Sequence, residues 1–289
     1  MNNRKDSVLK GIVLRCPDCH TQLKEDELLC PKCLWKGSFS DGVHNLLPTK
    51  LEKEKLNEDK IHQSANEPVW RDLLYKKKLY CEKFERMWMQ EIITPETTNF
   101  LELAGGLCYL SAIAKYHRPE LVIWASDVSP LYLATKSRRV SAIMDVNVDI
   151  YAAIDAENLP FEDEQFDAVF ISHSIHHIGN IEKMFKEVWR VLKYGGRFLG
   201  VDIASPGIKK LHEKDINERS IRAKEFGIHE KSLRYKDWQT ALCNSGVPEF
   251  KLLYEPGPKT KAQRARRIQN LTRKIPIWIK FTKQNNLRV

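Results

Sequence analysis

Apolar and polar positions switch repeatedly between two periods along the middle of the chain. The run from Phe100 reads FLEL, a short buried strand, and then Ala104-Gly105-Gly106, a turn of small side chains. Leu110, Ile113 and Ala114 follow at helical spacing, and LVIWAS is an unbroken apolar run that stops at Asp127. Ser129 and Pro130 then supply a helix cap and a first-turn residue for a helix over 131–144. VNVDIYAAID predicts a third strand ending at Asp155, and FDAVFIS a fourth. In IEKMFKEVWRVLK, the residues Ile181, Met184, Phe185, Val188 and Leu192 share one helical face, and Gly195-Gly196 is read as its end. GRFLGVDI gives the fifth strand, 206–234 a polar helical insert, YKDWQTALCNSG a helix, and EFKLLYEP the strand that closes the sheet. Strands alternating with helices predict an α/β fold, a parallel sheet with helices on both faces.

In such sheets ligands bind beyond the carboxyl ends of the strands. An acid closing the second strand suits paired ribose hydroxyls, and the glycine turn lets a nucleoside approach backbone; the alternative is an ordinary strand-to-helix turn. Ser172, His173, Ser174, His176 and His177 lie where the fourth strand opens. A histidine there is a candidate base. His229 and Glu230 in the insert are candidate substrate contacts, against a reading as solvated charges.

The N-terminal pattern is different. Cys16, Cys19, Cys30 and Cys33 form two CPxC pairs separated by ten residues, a strong signal for a structural Zn2+ site with four thiolates. The remaining cysteines, Cys81, Cys108 and Cys243, are single, which favours reduced thiols. Residues 1–48 are expected to form a zinc ribbon and 49–69 an exposed charged linker, with a domain from 70 to 255 whose first helix spans Trp70–Ile93.

At 289 residues, 42% hydrophobic and 29% charged, the chain can bury one full core with a small module attached. It lacks a membrane-spanning run and a secretory leader pattern, so a cytoplasmic location is expected. The net charge of +9 is concentrated in residues 255–289, where ten Lys or Arg face Glu255 alone. Residues 256–289 are therefore read as a basic amphipathic tail with three alternatives. It lies on anionic lipid through Trp278 and Phe281, with the protein peripheral at the inner membrane surface; it binds RNA phosphate; or it packs on the domain.

FLELAGGLC followed by ASDVSP, with LPF and FDAVFIS behind them, resembles the class I S-adenosylmethionine-dependent methyltransferases of the type 11-like group. The resemblance covers about two thirds of the chain. It implies a Rossmann-like sheet and S-adenosyl-L-methionine as cofactor, held by Glu102, Ala104, Gly105, Gly106, Asp127, Val128, Asp155, Ala156 and Ser172. Asp127 would hold the ribose, Asp155 the adenine amino group, and Glu102 would support the turn. The family's first and third motif glycines are replaced by Ala104 and Cys108, and Cys108 is expected to narrow the space over the cofactor's amino-acid part. The His-His pair recurs in the family with unrelated acceptors, which implies loop shaping. The N-terminal module resembles ribbons fused ahead of some bacterial methyltransferases, including ribosomal-RNA guanine enzymes. The expected function is methyl transfer to a small-molecule, sugar or lipid-linked acceptor. The alternatives are methylation of a base in ribosomal or transfer RNA, and a non-catalytic cofactor-binding protein.

Overall fold

The computed structural model describes residues 9–24, 28–57, 88–254 and 260–284. Its strands are β1 (Ser38–Ser40), β2 (Val43–Asn45), β3 (Asn99–Leu103), β4 (Val122–Asp127), β5 (Ile150–Ala153), β6 (Phe166–Ser172), β7 (Leu192–Ala204), β8 (Lys251–Tyr254) and β9 (Ile275–Thr282). They form one mixed sheet in the order β1-β2-β5-β4-β3-β6-β7-β9-β8. Neighbours from β2 through β7 run parallel, whereas β9 is antiparallel to both β7 and β8. The chain reverses its strand order between β3 and β6, which opens a crevice at their carboxyl ends.

Successive side chains of a strand point to opposite faces, so a sheet covered on both sides is apolar throughout. Leu101, Leu103, Val169 and Ile171 pack on one face with Met184, Phe185 and Val188 from the helix Ile181–Val191. Phe100, Ala168 and Phe170 pack on the other with Leu110 and Ala114 from the helix Tyr109–His117. The helix Ile181–Val191 stops before the glycine pair and runs directly into β7, where Gly195 turns at φ 81°. The region 131–144 is helical from Pro130 to Ile143, but Leu133–Ser137 widens into a π-helical turn. Ser129 caps it as expected, its side chain accepting from the Tyr132 amide.

The basic tail is where the pattern misleads. Thr260–Asn270 is a helix, but Ile275–Thr282 is an internal strand. Ile277, Ile279 and Phe281 enter the first core face and Trp278, only 1% exposed, enters the other. The apolar residues assigned to an interfacial helix are thus core, and a boundary at 255 is corrected because β9 completes the sheet. Strand β8, expected to close the sheet, lies at its edge, with β9 between it and β7.

The ribbon segment is joined to the same sheet. His44 and Asn45 pair in parallel with Ala152 and Ala153, and Leu14 bridges Phe161. Leu14, Leu23, Trp35 and Leu46 belong to the core that contains Trp124 and Phe161. Arg15 fixes the contact with a 2.9 Å ion pair to Glu187. Residues 88–92 are helical and Ile93 follows them outside the helix, while residues 70–87 of the helix expected over Trp70–Ile93, Cys81 among them, lie outside the described residues.

Candidate active site

The turn after β3 is built by its own neighbours. Ala104 and Gly106 both have positive φ, 46° and 53°, a conformation that glycine adopts freely and alanine only under constraint. The constraint is visible: the Ala104 carbonyl accepts from Ser174 Oγ at 2.8 Å, and the Gly105 amide donates to the Ser126 carbonyl at 2.8 Å. Gly105 has no spare space either, since a Cβ there would stand 2.9 Å from the Glu102 carboxyl carbon. Glu102 lies behind the turn, 3% exposed, and accepts from the Ser111 amide at 2.7 Å. Burial pushes its carboxyl up to about 7. Asp127 accepts from the Gly106 amide at 2.8 Å and the Ser129 amide at 3.0 Å, so one carboxylate ties the first turn to the end of β4.

Asp155 follows β5 and accepts from the Glu157 amide at 3.0 Å. It also receives Lys55, whose ammonium lies 2.9 Å from Asp155 and 2.9 Å from Glu157. Working against desolvation, those two carboxylates hold Lys55 above its ordinary range. Lys55 belongs to a segment expected to be a solvated linker. Its side chain is 11% exposed, which corrects that expectation for the turn Lys53–Leu56.

These groups surround a cavity of about 230 Å³ at the carboxyl edge of the sheet. Of the predicted residues, Ala104, Gly106, Asp127, Val128, Asp155, Ala156, His173 and His177 line it. Glu102, Gly105, Ser172, His176, His229 and Glu230 do not. Ser174, named with the histidines at the opening of the fourth strand, lines it too, and Lys55, Ile154, Ile178 and Arg222 line it without having been singled out. Ile178 follows the histidines directly and was reachable from that motif. Lys55 and Arg222 were not, because each sits in a charged run whose local pattern matches solvent exposure. Cys108 is also corrected: it is fully buried among Leu110, Ala114 and Leu121 rather than over the cavity.

On the other side of the cavity the histidines form a compact group. His176 Nδ1 lies 2.8 Å from Asp202, a fully buried carboxylate on β7, and the His176 amide donates to the same side chain at 3.0 Å. His177 Nδ1 donates to the His229 carbonyl at 3.0 Å, and the two histidine rings are 4.2 Å apart. Burial and the neighbouring His176 hold His177 down at about 4, so it is neutral at pH 7. A neutral imidazole of that basicity is a hydrogen-bonding wall rather than a strong proton acceptor. His173, at φ 53°, is anchored by its amide to the Val201 carbonyl at 2.7 Å.

The methyltransferase-domain family matches residues 101–223, which contain both halves of this edge apart from Lys55, His229 and Glu230. The chain is 34% identical over 116 residues to the ubiquinone/menaquinone biosynthesis C-methyltransferase of Pectobacterium atrosepticum, covering 38% of this chain and 45% of that one. It is 32% identical over 175 residues to the corresponding protein of Rhodopseudomonas palustris strain TIE-1, covering 56% and 66%. The chain thus spans about half to two thirds of the length of these curated relatives. A solved methyltransferase-fold structure from Bacillus halodurans C-125 superposes with a TM-score of 0.54 at 19% identity, over 70% of this chain and 99% of that chain. The chain carries a class I S-adenosylmethionine-dependent methyltransferase domain.

Within this methyltransferase domain the glycine turn, Asp127 and Asp155 stand in strand order around one cavity. Outside the matched residues, the four ribbon cysteines converge. Cys16 Sγ lies 3.5 Å from Cys33 Sγ, Cys19 Sγ lies 3.5 Å from Cys30 Sγ, and all four sulfurs fall within 4.8 Å of one another. Four sulfurs from two knuckles at that spacing match the donor set of a closed tetrahedral thiolate site.

Proposed function

We propose that the chain transfers the methyl group of S-adenosylmethionine to an electron-rich carbon of a small or lipid-linked acceptor. The observation that carries this is the single cavity in which Gly106, Asp127 and Asp155 meet the histidine wall. The curated relatives, named as C-methyltransferases of quinone biosynthesis, support a carbon acceptor. In this reading Asp127 accepts from the ribose hydroxyls. Its place at the end of β4, tied to the Gly106 and Ser129 amides, supports that role. Asp155, with Val128 and Ala156, borders the adenine, and Lys55 withdraws from Asp155 or shares it. Glu102, Gly105 and Ser172 position the turn and strand ends without touching the cofactor.

The reaction is a displacement. A bond forms from the acceptor carbon to the methyl carbon as the sulfur–methyl bond breaks, giving S-adenosylhomocysteine and a proton lost from the acceptor. Little covalent help is required; alignment and exclusion of water provide most of the acceleration. Ile154, Ile178 and Ala156 give the cavity the apolar wall this needs.

The ribbon is read as a 1–48 unit that holds structural zinc through Cys16, Cys19, Cys30 and Cys33, and the catalytic unit as extending from 70 past 255 to include β9. Zinc there would supply stability to a segment too small to fold by burial alone. Among the described residues no helix is long and apolar enough to cross a membrane. Trp278, buried in the sheet between β7 and β8, is not presented to a lipid surface.

Calorimetric titration of the full chain with S-adenosylhomocysteine tests the cofactor claim. Saturable binding that weakens at least tenfold in Asp127→Ala, about 1.4 kcal/mol, is the expected result. Absence of binding to the intact chain overturns it. Labelled cofactor offered with separated lipid, small-molecule and RNA fractions then identifies the acceptor class, and transfer into RNA alone would overturn the carbon-acceptor reading.

A further inference from the structure

His176, His177 and Glu230 each bring one donor atom to a common point, all within 4.8 Å of one another. They come from separate places in the chain. The histidines sit on the short 3-10 turn Ile175–His177 after β6, and Glu230 follows the insert helix Lys209–Phe226. Glu230 Oε1 is 3.9 Å from His176 Nε2, and Oε2 is 3.3 Å from His177 Nδ1, whose hydrogen bond to the His229 carbonyl an ion at that nitrogen would replace. The Glu230 side chain is 3% exposed. Oε1 accepts from Arg219 at 2.8 Å, but Oε2 has no hydrogen-bond partner. A buried carboxylate oxygen in that condition has given up its water without a hydrogen bond in return, so its placement between two imidazoles calls for a physical reason.

We propose that His176, His177 and Glu230 form a binding site for a divalent first-row transition cation. Two imidazoles and one carboxylate are a donor set suited to such ions. The outer arrangement fits as well. Asp202 faces the other ring nitrogen of His176 at 2.8 Å, the carboxylate–histidine arrangement that orients a ligating imidazole, and Arg219 holds one oxygen of Glu230 while leaving Oε2. Asp202 is in turn fixed by the amides of His176 and Ile203. The three donors leave coordination positions open, and His177 forms part of the cavity wall. An ion here would take an oxygen of the acceptor as a further ligand, which selects acceptors with a hydroxyl or carbonyl beside the methylated position. That last role rests on the methyltransferase reading above; the ion site itself does not.

The test is loss of the free Mn2+ electron-spin resonance signal on titration into the full chain, with Co2+ absorption, recorded after the four-thiolate site has been filled with Zn2+, as a second probe of imidazole ligation. One Mn2+ per chain is expected, weakened roughly tenfold or more in Glu230→Gln and in His177→Gln. Circular dichroism and melting of both variants establish that they are folded. Asp127→Ala, altered on the opposite wall, should bind Mn2+ as the parent does. S-adenosylhomocysteine affinity measured in parallel separates the two claims, since it reports the cofactor site whether or not Mn2+ binds. No Mn2+ or Co2+ uptake by the parent chain, or uptake unchanged in the folded Glu230→Gln and His177→Gln variants, overturns the proposal.

Discussion

The two walls of the cavity are made in different ways. On the glycine-turn side, each acidic group lies within two residues of a strand's end, and its backbone hydrogen bonds come from amides within 21 positions: Gly106 and Ser129 to Asp127, Ser111 to Glu102, Glu157 to Asp155; the Lys55 ammonium reaches an acid of this wall, Asp155, from far along the chain. On the histidine side, the partners come from distant segments: Asp202 lies 26 residues from His176, and the His229 carbonyl 52 residues from His177. The first wall is mainly a property of strand–turn–helix units, with Lys55 and Ser174 as remote additions. The second exists only when the insert helix and β7 are in place. On the proposed function, local construction falls to the wall that meets the cofactor and remote construction to the wall that faces the acceptor.

The broadest way to break this contrast is to remove the support common to both walls. Trp278→Ala should cost about 3–5 kcal/mol in denaturant unfolding, because it leaves a large cavity beneath β7. A loss below about 1 kcal/mol would return that residue to the surface role read from sequence. Lys55→Met tests whether the glycine-turn wall is truly local. Removing the ammonium leaves Asp155 and Glu157 buried together, with an expected loss of about 3 kcal/mol. Unchanged stability would mean that Lys55 is dispensable to that wall.

A finer test uses pH. Glu102 has a folded-state carboxyl raised to about 7 from an ordinary 4.5, so the folded chain binds its proton more tightly than the unfolded chain. Its contribution is therefore fully present below about 4.5 and is lost as pH rises through about 7, a change on the order of 3 kcal/mol. Glu102→Gln should flatten this part of the stability–pH curve, and an unaltered slope would remove the assignment. The smallest effect is expected at the helix start after β4. Ser129→Ala removes the cap to the Tyr132 amide and should cost about 1 kcal/mol, while leaving Mn2+ uptake by the histidine side unaffected.

By itself the sequence determined the alternation of strands and helices, the places where Gly106, Asp127 and Asp155 close their strands, and the clustering of the four ribbon cysteines. These are short-range properties: apolar periodicity, turn chemistry and ligand spacing operate within a few residues, so they are written locally. The tertiary structure alone decided the rest. IPIWIKF, basic on either side, is an inner strand because β7 offers it an unpaired edge and both core faces have room for its side chains. Lys55 leaves solvent because two carboxylates 100 and 102 positions away wait at the end of β5. Cys108 turns inward because its backbone, at φ 49°, begins the helix with the side chain toward Leu110 and Leu121. Glu230 joins the histidines only when the insert folds back across the open end of β6. Each outcome depends on which surfaces meet, and a polar or basic stretch carries no local record of the partner that will bury it.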